Sequence, residues 1–219
     1  MGTTRVTFRA RSSILLLGLV VLAGVLAVPA VHRSLLRAAG WALVASDPLQ
    51  HADAIVLTIN AGGAGVLEAA DLLHEGIASR VAVFSDPPDL IDREFIRRGA
   101  PYYDLAAVEL FQLRALGVTS TEVIPRSALS THDEASILPR WCAEKGYHTI
   151  VLVSTTDHSR RIRRMMRRAL RGRHTRAIVV YSRYSQFNPD EWWRTRGGTR
   201  IELEELQKLV LDILRHPLS

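Results

Sequence analysis

Five short runs of β-branched and apolar residues, separated by helical patterns, set the limits on what this chain can fold into. The runs are DAIVLTI (Asp53–Ile59), RVAVFSD (Arg80–Asp86), TEVIP (Thr121–Pro125), TIVLVST (Thr149–Thr155) and AIVVYSR (Ala177–Arg183). The clearest are almost unbroken Val, Ile and Leu, as strands are when both faces of a parallel sheet are covered. GVLEAADLLHEG places apolar residues at helical spacing and stops at Gly76, and YDLAAVELFQLRALG does the same up to Gly117. THDEASILPRWCAEKG reads as a helix capped by Thr131, with Asp133 and Glu134 in its first turn and a kink or early break at Pro139. IELEELQKLVLDILRH closes the chain as a further helix. Strands alternating with helices imply right-handed crossovers and an α/β fold, a doubly wound, mostly parallel sheet of about five strands. The stretch Pro87–Pro101 is polar and irregular and reads as a lid-like insertion.

A second feature precedes the sheet. Ser12 to Val31 carries no charged side chain over 20 residues. As a helix it would span roughly 30 Å, the thickness of a bilayer core. Two readings fit it. The length favours an uncleaved membrane anchor. The basic Arg5, Arg9 and Arg11 and the small residues at Val28–Ala30 also suit a cleaved signal peptide. Both place the rest of the chain outside the cytoplasm. The expected division is therefore residues 1–39 as tail, transmembrane helix and linker, and residues 40–219 as the α/β domain, on the plasma (inner) membrane. Cys142 is the only cysteine, so neither an intramolecular disulfide nor a cysteine-built zinc site is open to the chain.

Charge is concentrated in one place. Of 28 Lys and Arg against 22 Asp and Glu, eight lie between Arg160 and Arg173 with no acid among them. The remaining 20 nearly balance the acids, so the basic character belongs to one helix and not to the whole surface. Ile162, Met165, Met166, Ala169 and Leu170 form that helix's apolar stripe, and the arginines take the other face, expected to be mostly solvated. Nucleic acid is not an expected partner, because no recognition motif accompanies the arginines.

Ligands of doubly wound sheets bind beyond the C-terminal strand ends, where strand order reverses. Three polar loops sit at such ends. NAGGAG (Asn60–Gly65) follows the first run, and its glycines allow close backbone approach to an anion at a helix start. A plain strand-to-helix turn explains the same residues. SALSTHDEAS follows the third run, where Thr131, Asp133 and Glu134 fit either helix capping or a crevice. STTDHSRR follows the fourth, with Ser154, Thr155 and His158 at the strand end and Arg161 one turn into the basic helix, in reach of a phosphate. The chain has no G-x-S-x-G elbow and no H-E-x-x-H zinc motif, so no metal or cofactor is expected. A Ser/Thr–His–carboxylate grouping requires the fold to join the second and third loops.

Taken in order, WALVASDPLQHADAIVL, EAADLLHEGIASRVAVF, LSTHDEA, VLVSTTDHSRRIRR, the pair Trp192–Trp193 and EELQK resemble the DUF218 family, which includes the YdcF-like, SanA-like and ElyC-like bacterial envelope proteins. The resemblance runs from about Leu43 to Leu214. It implies a Rossmann-like fold and a role in cell-wall biogenesis, through peptidoglycan or its lipid carrier. Carried over by motif, it implies ligand contacts from Asn60, Gly62, Gly63, Thr131, Trp193 and Glu205, beside Ser154 and Thr155, which the strand-end reading supplies. Asp133 and Glu134 accompany Thr131, and His158 with Arg161 form an H-x-x-R element. The family's glycine turn differs here: the glycines are displaced and an arginine before the next helix is missing. The resulting expectation is a membrane-anchored envelope protein that binds or processes a phosphate-bearing small molecule or lipid. In a hydrolase or transferase version His158 is general acid/base, Arg161 steadies phosphate charge, and Asp133 or Glu134 orients the histidine or a water. The alternative is a non-catalytic module that binds lipid headgroups or envelope partners through the arginine helix.

Overall fold

The computed structural model describes residues 28–124 and 130–217. In chain order the elements are α1 (Pro29–Ala42), β1 (Ala54–Leu57), α2 (Gly62–His74), β2 (Val81–Phe84), α3 (Leu90–Arg97), α4 (Leu105–Ala115), β3 (Thr121–Ile124), α5 (Thr131–Lys145), β4 (Thr149–Ser154), α6 (Ser159–Ala169), β5 (Arg176–Tyr181), a 3-10 turn at Trp192–Arg194 and α7 (Arg196–Arg215). The strands form one sheet in the order β3-β2-β1-β4-β5, and every pairing is parallel. The chain runs outward from β1 to β3, crosses back through α5, and continues outward on the other side through β4 and β5. The point of reversal therefore lies between β1 and β4.

Strand side chains alternate between two apolar layers, because successive residues point to opposite faces. Ile55, Leu57, Val81, Val83, Val151 and Val153 pack under α2 and α4, against Val66, Ala69, Leu72 and Leu113. Ala54, Val56, Ala82, Phe84, Ile150 and Leu152 pack under α5 and α6, against Leu138, Trp141, Cys142, Ile162 and Met166. Covering both faces accounts for the unbroken apolar runs. Cys142 is enclosed in the second layer, and burial pushes its thiol up to about 12.

Three local expectations change. Pro139 neither ends nor divides its helix: α5 runs through it, with Ile137, Leu138, Pro139, Trp141 and Cys142 all buried. Burial of this face offsets the one backbone bond that proline removes. Pro87–Pro101 is not irregular throughout. Asp89 accepts from the amides of Ile91 and Asp92, the Asp92 side chain accepts from the Asp89 amide, and this capping box starts α3. In α5 the cap is Ser130, whose hydroxyl oxygen accepts from the Asp133 amide at 3.3 Å, while Thr131 is the first helical residue.

All but the last four residues of the candidate anchor, Ser12–Val31, lie outside the described ones, and no described helix is long and apolar enough to cross a membrane. Helix α1 continues through residues 39 and 40. Leu36 and Ala39 join Leu43, Phe187, Trp192, Trp193 and Leu209 in a third apolar cluster, and Trp192 Nε1 donates to the Leu36 carbonyl at 2.7 Å. Gly40 makes this contact close. A Cβ there would lie 2.4 Å from the Pro189 carbonyl oxygen and 2.7 Å from Trp192 Cδ1. Gly40→Ala is therefore expected to lower stability by about 1–3 kcal/mol, read as a lower urea midpoint at an unchanged slope.

Candidate functional site

The loops after β1 and β4 diverge at the reversal point and leave a cleft of about 580 Å³, lined among others by Asn60, Ala61, Gly63, Thr155, Asp157, His158, Tyr184 and Glu205. His158 sits at the junction of β4 and α6 and is 2% exposed. Its ring is held from both sides. Nε2 is 2.9 Å from Thr131 Oγ1 and accepts from Asn60 Nδ2 at 3.3 Å. Nδ1 is 3.1 Å from Glu205 Oε2 and 2.8 Å from Arg161 Nη2. Burial holds the His158 pKa below the ordinary imidazole value against the upward pull of Glu205, so the ring is neutral at neutral pH.

A neutral ring carries one proton, so it cannot satisfy all these partners in both tautomers. With the proton on Nδ1, the ring donates to Glu205, and Nε2 accepts from Asn60 and from the Thr131 hydroxyl. With the proton on Nε2, the ring donates to Thr131 and accepts from Arg161. The nitrogen of the Asn60 amide at Nε2 suits the first arrangement and the Arg161 guanidinium at Nδ1 suits the second, so each tautomer has one mismatched neighbour.

Glu205 is the residue that orients the histidine, and neither Asp133 nor Glu134 does so. Arg161 Nε donates to Glu205 Oε2 at 3.0 Å and Lys208 Nζ donates to Oε1 at 2.7 Å, which with His158 holds the Glu205 carboxyl well below the usual range despite its burial. Asp133 is taken up by the α5 cap, where the Ser130 hydroxyl donates to its Oδ2 at 2.9 Å. Arg161 is not among the residues lining the cleft, because Glu205 and His158 take its guanidinium. Trp193 is also outside it, packed edge-to-face on Trp192 at 5.9 Å in the third cluster.

Glu134 holds the adjoining turn. Its Oε1 accepts from the Ile59 amide at 2.8 Å, fixing the chain just before Asn60. Gly62, with φ of 50°, then opens α2 in a conformation few side chains tolerate. Ala61 gives α2 no side-chain cap, and Asn60, Ala61, Gly63 and Ala64 at the start of this helix line the cleft. Ser154, expected as a ligand contact, is fully enclosed at the end of β4, and its hydroxyl has no hydrogen-bond partner.

The basic helix is not mainly solvated. Arg160 Nη2 donates to the Val44 carbonyl at 2.7 Å, and Arg163 pairs with Asp47. Arg164 Nε lies 2.8 Å from Asp212 Oδ2, and Arg168 pairs with the same carboxylate. Arg161, Arg164 and Arg168 thus face Glu205, Lys208 and Asp212, both sets at steps of three and four residues on α6 and α7. Sequence reading missed Asp47, Lys208 and Asp212. The matched spacing was the available signal, but nothing in the sequence says which two helices are neighbours. Among the described residues no group of three or more His, Cys, Asp and Glu is arranged to hold a metal.

The fold and site thus define a parallel α/β protein with a buried histidine at the sheet's reversal point. Comparison with protein-family models, with curated proteins and with solved structures finds no match to this chain.

Two outcomes follow from these environments. Glu205→Gln removes the main influence that raises the His158 pKa, leaving only Asp157, and leaves Arg161, whose side chain is 14% exposed, without its carboxylate. The imidazole should titrate lower still in an NMR titration, and stability should fall by about 3–5 kcal/mol. The second concerns pH. Burial pushes Glu134 up to about 7 and Glu109 up to about 8, the latter also through the nearby Glu134 and Asp86. Both folded pKa values exceed the unfolded carboxylate value, so the folded state holds more protons between them. The stability these groups contribute is full below about pH 4.3 and is lost as pH rises through 7 and 8. Glu109→Gln should flatten that decline in urea unfolding curves measured from pH 4.5 to 8.5.

Proposed function

We propose that this chain is a membrane-anchored cell-envelope protein whose cleft binds or processes a phosphate-bearing envelope intermediate, in the building of the cell wall. The observation that carries the reading is the meeting, in one cleft, of a buried neutral histidine and the uncapped first turn of α2. Backbone amides at a helix start favour an anion. The carboxylate beside them is already matched, because Glu205 is paired with Arg161 and Lys208. The order of motifs that resembles the DUF218 family supports the envelope role, and the apolar segment Ser12–Val31 supports an anchor with the α/β domain outside the cytoplasm.

In a hydrolase or transferase reaction the residues divide as follows. The α2 amides and Asn60 hold the phosphate oxygens. His158 moves the proton. Glu205 fixes the ring through Nδ1, and Arg161 is a positioning residue that holds Glu205. The alternative, headgroup binding through the arginine helix, has less support. Arg160, Arg161, Arg163, Arg164 and Arg168 all bond to groups of the chain itself.

Calorimetric titration with inorganic pyrophosphate tests the reading. His158→Ala and Asn60→Ala should each weaken binding at least about tenfold, or 1.4 kcal/mol. Replacing the outward-facing Arg167 and Arg173 with glutamine should leave it unchanged. Unchanged affinity in His158→Ala overturns the assignment of the site.

A further inference from the structure

We infer that Thr131 is a catalytic nucleophile, and that the cleft works through a covalent phosphothreonine; this rests on the phosphate-ligand reading above. Thr131 reads as a helix cap in the sequence, but the structure gives that task to Ser130 and leaves the Thr131 hydroxyl for another partner. That partner is His158 Nε2, at 2.9 Å, and the opposite ring nitrogen lies 3.1 Å from Glu205 Oε2. Hydroxyl, imidazole and carboxylate therefore form a continuous line, contributed by the starts of α5 and α6 and the middle of α7. Such a line activates a weak nucleophile by giving its proton a base and the base an orienting anion.

Two further observations bear on a working line. His158, Asn60 and Glu205 line the cleft, whereas Thr131, 4% exposed, stands one hydrogen bond behind its wall, so the imidazole must turn aside before the hydroxyl meets phosphorus. The uncapped amides of α2 adjoin Asn60, where the charge of a transferring phosphoryl group would collect.

The chemistry balances with water as the only co-reactant. Thr131 Oγ1 attacks phosphorus while its proton passes to Nε2. The bond from phosphorus to the leaving oxygen breaks, and that oxygen takes the proton from Nε2. Water then attacks the phosphothreonine and gives a proton to Nε2. The bond from phosphorus to Oγ1 breaks, and Oγ1 recovers the proton. Throughout, Nδ1 keeps its hydrogen and donates to Glu205, which requires the Arg161 guanidinium, 2.8 Å from Nδ1, to draw back onto Glu205.

The test is labelling of the full chain with a biotinylated fluorophosphonate, which loses fluoride to an activated hydroxyl, followed by peptide mapping by mass spectrometry. One adduct per chain is expected, on Thr131. Thr131→Ser should keep the adduct at the same position. Thr131→Val and His158→Ala should reduce labelling at least tenfold, and pyrophosphate titration of Thr131→Val reports whether its cleft is intact. An adduct on another residue, or none on the wild-type chain, overturns the inference. If pyrophosphate still binds in that case, the ligand reading stands without the nucleophile. If Thr131 is labelled but pyrophosphate does not bind, the nucleophile stands and the phosphate reading falls.

Discussion

The ionic seam between α6 and α7 governs the geometry of the site. Among the residues of α7 only Glu202, Glu205 and Leu209 are buried, so apolar contact alone attaches it weakly. Arg161 to Glu205, with Arg164 and Arg168 to Asp212, supply the rest of the attachment. These pairs are half-buried, where the attraction between charges is strong but each has lost part of its water. The seam therefore selects one register of the two helices more than it adds net stability. That register brings a carboxylate to His158 Nδ1.

The sheet supplies the other half of the arrangement. Because β1 and β4 are neighbours whose following connections leave in opposite directions, their ends cannot be covered by the chain that follows them. Asn60 and His158 come from these two ends. Glu134 and Thr131 come from the crossover helix that spans the reversal, and each bonds to one of the two loops: Glu134 to the Ile59 amide and Thr131 to His158. The cleft is thus a result of strand order first and of particular side chains second.

The strands and most helices were legible in the sequence because a sheet covered on both faces leaves continuous apolar runs, and Ile55, Val83 and Leu152 show it. His158, Asn60 and Thr131 were legible as strand-end residues. Their partners were less so. Nothing local separates Glu205, which orients the histidine, from Glu204, which is exposed on the same helix. The arginines misled for a related reason. A basic face reads as solvated until acids from distant segments, Asp47 and Asp212, are brought against it. Trp193 was expected at the site only through the family resemblance, but its ring is spent on Trp192. Pro139 shows the limit of local rules where tertiary burial outweighs one lost backbone bond.

The single cysteine has a practical consequence. Cys142 lies beneath α5 with its thiol pushed up to about 12, so little of it is thiolate at neutral pH and no solvent path reaches it. The native fold is therefore chemically silent toward maleimides. A cysteine introduced at an exposed position such as Arg173 would be the only reactive thiol in the α/β domain. Attached to an impermeant reagent, it would report from intact cells on which side of the bilayer the domain resides.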